Sequence, residues 1–250
     1  MYLTIGIMVA LTVAAAAFLL APRLADGRIR FEIKPDRPRA FGYKMAWLAI
    51  RTRDGAKVAE ILDLAPVPCN WNSGLGTVYD DRLGENHVFV TAPVDGWTFV
   101  VGLCLPHPTS RAFVDKWTPL LVQLGSRFPE VQYFFTYPLI DFFAWARIVE
   151  GKLVRGFAIG DQGILLNRGK PTREERRLGL KLFEMRGVKG RTGDAGGELM
   201  LHPTEDHVMR LAQAWSLDPT RLDASSAEPA LGAVALAPAA WRPERLRRVA

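Results

Sequence analysis

Val88–Gly102, VFVTAPVDGWTFVVG, is the stretch from which the architecture of this chain can be read. It holds two apolar runs, Val88–Thr91 and Trp97–Val101, joined by a short connection containing Pro93 and Asp95-Gly96. Asp-Gly tolerates the positive φ of a tight turn, so the two runs are expected to close on each other as a β-hairpin. Val100 and Val101 continue the run without a polar alternate, which predicts a central strand covered on both faces.

Working outward, Met45–Arg51 predicts a strand and Gly55–Leu64 a short helix, capped by Asp54 and ended by Pro66 and Pro68. A long loop, Pro68–Asn86, separates that helix from the hairpin, and it contains Trp71 and Tyr79. On the other side, Thr109–Arg127 reads as the main helix, capped by Thr109 or Ser110 and kinked or broken at Pro119, and Glu130–Tyr137 as a strand. The order strand, helix, strand, strand, helix, strand predicts an α+β fold with a ferredoxin-like βαββαβ core. A further hairpin, Phe142–Val149 with Leu153–Ile159, extends the sheet, and Gly163–Asn167 adds an edge strand. C-terminal helices follow, one opened by Thr172 and one over Thr204–Ser216. From Ala224 the chain is rich in Ala and Pro and reads as a disordered tail with a basic tip.

Leu3–Ala21 carries no charge, and at about 1.5 Å per residue its length matches a bilayer core. It lacks the basic n-region of a signal peptide, and it is apolar on every side, unlike an amphipathic core helix. The expectation is one N-terminal transmembrane helix. The bases Arg23, Arg28, Arg30, Lys34, Arg37 and Arg39 all follow the span, which places the body in the cytoplasm, tethered to the inner membrane. The domain plan is then an anchor over 1–22, a juxtamembrane linker over 23–40, an α+β domain over 41–223 and a tail over 224–250.

Net charge is +6, but it sits at the ends: six bases against three acids in residues 1–40, four against one in 241–250. The body between is neutral, which argues against phosphate tracking and for no nucleic-acid partner. Cys69 and Cys104 are too few and too far apart for a metal framework and read as buried or half-buried thiols.

No stretch carries a recognisable reactive grouping. His202 and His207 are five apart around a helix start, so they face different ways, and no metal site is expected. Gly74-Leu75-Gly76 lacks the third glycine and the flanking strand of a dinucleotide loop, and no cofactor is expected. His107 stands between two prolines with no nucleophile paired to it, and no catalytic residue is assigned. Asp95 and Asp141, both near strand ends, could form an acid–base pair, although turn chemistry explains each. Most of the tryptophans read as core; Trp71 in the long loop reads equally as a loop anchor or a binding residue.

Phe41-Gly42-Tyr43-Lys44 with Trp47, the stretch Val88–Trp97, and Asp141 with Trp145-Ala146-Arg147 together resemble a group of poorly characterised bacterial proteins. Some of that group are immunity proteins, which bind and neutralise a cognate antibacterial toxin delivered by a secretion system. The resemblance spans about residues 41–220, and its motifs carry no binding residues over. It implies a protein-binding domain whose partner is a toxin or another protein; joined to the N-terminal span this gives a membrane-anchored binding domain, and the residues themselves offer Trp71, Tyr79, Asp95 and Asp141 as candidate contacts. The alternatives are an envelope enzyme using Asp95 and Asp141, and a scaffold of an envelope complex.

Overall fold

The computed structural model describes residues 31–109, 113–161, 163–180 and 203–241. The chain divides into Met1–Phe31 and a larger unit, Glu32–Ala250. Its strands are β1 (Met45–Ile50), β2 (Val67–Cys69), β3 (His87–Val90), β4 (Thr98–Val101), β5 (Glu130–Tyr137), β6 (Phe142–Val149), β7 (Lys152–Gly160), β8 (Gly163–Arg168) and β9 (Gly232–Leu236). Its α-helices are α1 (Gly55–Ile61), α2 (Trp71–Val78), α3 (Trp117–Gly125), α4 (Arg173–Arg177) and α5 (Glu205–Trp215).

All nine strands form one sheet in the order β2-β9-β3-β4-β1-β5-β6-β7-β8, and every neighbouring pair is antiparallel. The hairpin that anchored the sequence reading is β3–β4, with Phe89 opposite Val101 and Val90 opposite Val100. The central strand β1 lies between β4 and β5 and is buried along its whole length.

Side chains alternate along each strand, so the sheet has two distinct apolar faces. Ala46, Leu48, Val88, Val100, Val131, Ala144 and Ile148 point to one, where α1 and α3 cover them with Val58, Leu62, Trp117, Leu121 and Leu124. Trp47, Phe89, Phe99, Phe134, Trp145 and Phe157 point to the other. There Trp71 of α2 meets Phe89 edge-on at 5.6 Å, and Trp215 of α5 lies against Phe134 at 5.7 Å.

These facts correct the expected fold class. The chain is α+β, but a ferredoxin-like core widened by one hairpin underestimates the sheet at one edge and the cover on the second face. The supposed long loop supplies β2 and α2. Asn70 caps α2 by accepting from Ser73 N at 2.9 Å, and Asp36 accepts from Trp71 N at 2.6 Å and Asn72 N at 3.0 Å. The supposed tail supplies β9, which pairs with β2 on one side and β3 on the other. A Cβ at Gly232 would lie 2.5 Å from Val90 O and 2.6 Å from Phe89, so the residue that looked like low complexity is a packing requirement.

The main helix is shorter than the apolar spacing predicts. It starts at Trp117, and Asp115 rather than Thr109 or Ser110 accepts from its first amides, at 3.1 and 3.0 Å. Pro119 therefore falls in the first turn, where its missing N–H costs no intrahelical bond, and it makes no kink.

The single-span inner-membrane anchor is also corrected. Among the described residues no helix is long and apolar enough to cross a membrane. The run Leu3–Ala21 on which that expectation rested lies outside the described residues, as does the basic tip from residue 242.

Candidate functional site

Among several openings, one of largely apolar lining lies beside the core at the end of the sheet where β4 finishes. Gly102 turns the chain there; a Cβ on it would sit 2.8 Å from His87 O. Leu103, Cys104 and Leu105 then tuck under the aliphatic face, while Pro106 and Pro108 stiffen the backbone on both sides of His107. Val114, on the approach to α3, and Pro238 and Trp241, after β9, close the other sides. The result is a cavity of about 240 Å³, with Glu85, Asn86 and Lys116 among its polar lining.

Two groups in it carry chemistry. The Cys104 thiol donates to His87 O, with Sγ 3.2 Å away, and burial pushes its pKa up to about 11. Such a thiol stays protonated at neutral pH and is a weak nucleophile. His107 is held edge-on by Phe135 and Phe142, at ring-centroid distances of 5.4 and 5.6 Å, and its Nδ1 lies 3.4 Å from Leu105 O. Burial lowers its pKa below the ordinary 6.5, against a smaller opposing effect of the Leu105 carbonyl, so the ring is neutral at physiological pH. A neutral imidazole and a protonated thiol in an apolar recess suit recognition better than bond-making.

The residues expected from sequence to meet a partner are dispersed. Trp71 is 0% exposed, packed on Phe89. The Tyr79 hydroxyl accepts from Gly42 N at 3.0 Å and donates to Tyr43 O at 3.2 Å, stapling α2 to the segment that leads into β1. Asp95 has φ 48° in the β3–β4 turn, where Val94 and Trp97 exchange backbone bonds of 2.8 and 2.9 Å. Asp141 has φ 49° and ends the turn Pro138–Ile140.

The register separates these two aspartates. Asp95 sits at the end of the sheet where Ile50 pairs with Thr98, Asp141 at the end where Met45 pairs with Thr136. Five steps of β1 lie between, roughly 17 Å at about 3.3 Å each, too far for a shared proton transfer. The envelope-enzyme reading built on this pair is therefore withdrawn.

Other features also find structural uses. Gly74 lies inside α2, where a Cβ would come within 2.3 Å of the Phe89 ring. His207 completes a capping box with Thr204, accepting from Thr204 N at Nδ1 over 3.1 Å, while His202 lies outside the described residues. Cys69 and Cys104 are both free thiols. Among the described residues no group of three or more His, Cys, Asp or Glu could hold a metal ion.

Sequence reasoning passed over Cys104, Val114 and Trp241 as site residues. The available signal was Pro106-His107-Pro108, a histidine braced between two prolines just after a buried strand. What it lacked was knowledge that the region after β9 returns to the same place.

A scan of protein-family models finds no match, and searches among curated proteins and among solved structures find none either. Nothing in these comparisons supports a toxin partner or an immunity role. Together with the missing membrane-length helix among the described residues, this withdraws the reading of a membrane-anchored toxin-neutralising protein.

Proposed function

We propose that this protein is a binding protein for a compact, largely apolar small molecule, which it takes into the cavity beside His107. The observation that supports this is the cavity itself. Its walls are largely apolar, with Leu103, Leu105, Pro106, Val114, Pro238 and Trp241 among them. The segment Leu103–His107 forms one wall of this opening of about 240 Å³. That volume is below the roughly 300–1,000 Å³ of sites for drug-sized ligands, which favours a ligand with one ring or a short chain.

Titration of the full chain with phenol and toluene, followed by methyl signals of Leu103 and Val114, tests this. Saturable shifts confined to the cavity lining are expected. Val114 is 37% exposed at the mouth, so Val114→Trp fills the recess without disturbing the core and should abolish binding while leaving the unfolding midpoint in place. No saturable shift with either probe up to millimolar concentration would refute the proposal.

A further inference from the structure

We infer that the ligand of this cavity presents an N–H or O–H donor, and that His107 accepts it at Nε2. The inference rests on the cavity being a ligand site and specifies the chemistry of what enters. A backbone carbonyl can only accept, so the approach of Nδ1 to Leu105 O at 3.4 Å places the ring proton on Nδ1. A neutral imidazole carries one proton, and Nε2 is left with a lone pair.

The ring cannot easily turn to hide that nitrogen. Phe135 and Phe142 brace it edge-on, and neither offers a hydrogen-bond partner. His107 itself lines the cavity and is only partly buried. With Nδ1 turned back to its own chain, the edge that faces the opening is the one that holds Nε2. The thiol of Cys104 already donates to His87 O, so it has no second proton to give. A purely apolar ligand would strand a buried acceptor, which costs more than a hydrogen bond contributes when made. A single ring with a hydroxyl or ring N–H, phenol or indole in type, satisfies both the walls and the histidine.

The test separates this inference from the site itself. Affinities of phenol and toluene are measured for the native chain and for His107→Phe, and the phenol-to-toluene preference is compared between them, which cancels the difference in hydration of the two probes. The preference should fall about tenfold in His107→Phe. Binding of both probes with an unchanged preference would overturn the inference and leave the site standing. Binding of neither to the native chain would remove the site. Because His107→Phe could perturb folding, the ¹⁵N signals of His107 are read in the native chain as well. Nε2 should show the shift of an unprotonated nitrogen and move with phenol but not with toluene. Assignment of the unprotonated nitrogen to Nδ1 would overturn the inference.

Discussion

The two faces of the sheet solve the same burial problem with different chemistry. On the face covered by α1 and α3, Ala46, Leu48, Val100 and Ala144 meet aliphatic helix residues, and side-chain polar groups are few. On the face covered by α2, α4 and α5, large aromatic rings dominate, and buried polar side chains gather between them. Arg155 and Glu175 are both 0% exposed, 2.7 Å apart, and Glu175 also accepts from Trp145 Nε1 at 2.9 Å and Thr172 N at 2.6 Å. Arg155 Nη1 reaches Asn167 Oδ1 at 2.7 Å and Arg168 O at 2.9 Å. Glu130 takes Arg147 Nε at 2.7 Å and Gln132 Nε2 at 2.8 Å, and Glu205 takes Thr136 Oγ1 at 2.7 Å and Lys44 N at 2.9 Å.

Hydrogen bonds are directional and expensive to leave unmade, so the network around Glu175, Glu130 and Glu205 restricts how the aromatic face can pack. Aliphatic contacts are non-directional. The cavity opens on the aliphatic side, and buried polar atoms that meet no partner among the described residues occur on both faces: Tyr133 OH and Trp117 Nε1 on this one, and Trp47 Nε1, Trp71 Nε1, Trp215 Nε1, Gln132 Oε1 and Arg155 Nη2 on the other. The directional network lies on one face, and the opening beside His107 lies on the other.

The sharpest way to break this contrast is to remove one member of the buried pair. Arg155→Met should cost about 3–5 kcal/mol by urea unfolding, because it strands a buried carboxylate. Adding Glu175→Leu should recover part of that loss, since the orphaned charge is then gone. If the single variant costs under about 1 kcal/mol, the network does not hold the aromatic face.

A smaller effect contrasts two glycines of α2. Gly74→Ala drives a methyl against the Phe89 ring and should destabilise by about 1–3 kcal/mol. Gly76 has nothing within 4 Å of its would-be Cβ, so Gly76→Ala should stabilise by roughly 0.5–1 kcal/mol through helix propensity alone. Equal shifts in the thermal midpoint for both variants would mean that α2 does not press on the sheet as described.

The smallest expected effect is a pH slope. Burial lowers the pKa of His107 on the aliphatic side, and burial followed by Arg210 lowers that of His207 on α5. Between the ordinary value of 6.5 and the lower folded value, the unfolded chain takes up protons that the folded chain refuses. Stability is therefore fully present above about 6.5 and declines as the pH drops below it. His107→Phe should flatten the slope of urea midpoint against pH between 7.5 and 5, and an unaltered slope would show that this ring is not held neutral by the core.

Strands β5 and β6 and helix α5 were legible residue by residue, because each satisfies its own periodicity and α5 carries its cap, Thr204. Helix α2 was not. Its two glycines disfavour a helix locally, and the close packing on Phe89 that demands Gly74 comes from a strand later in the chain. Strand β9, GAVAL, has too little side-chain signal to stand out, and its reason to be extended is the pair of ladders on either side of it. The candidate site was dispersed in the same way. Asp95 and Asp141 look alike as turn residues, and only the register of β1 shows that a strand's length lies between them.

The order of residues alone determined that this chain forms strands about an Asp-Gly turn and has a body without net charge, since the first depends on neighbours a few positions away and the second on composition. Only the tertiary structure decided that loop and tail become sheet and helix, that both faces are covered, and that His107, Cys104 and Trp241 surround one opening. Those outcomes depend on groups far apart in sequence competing for the same apolar surface, and that competition is settled by packing.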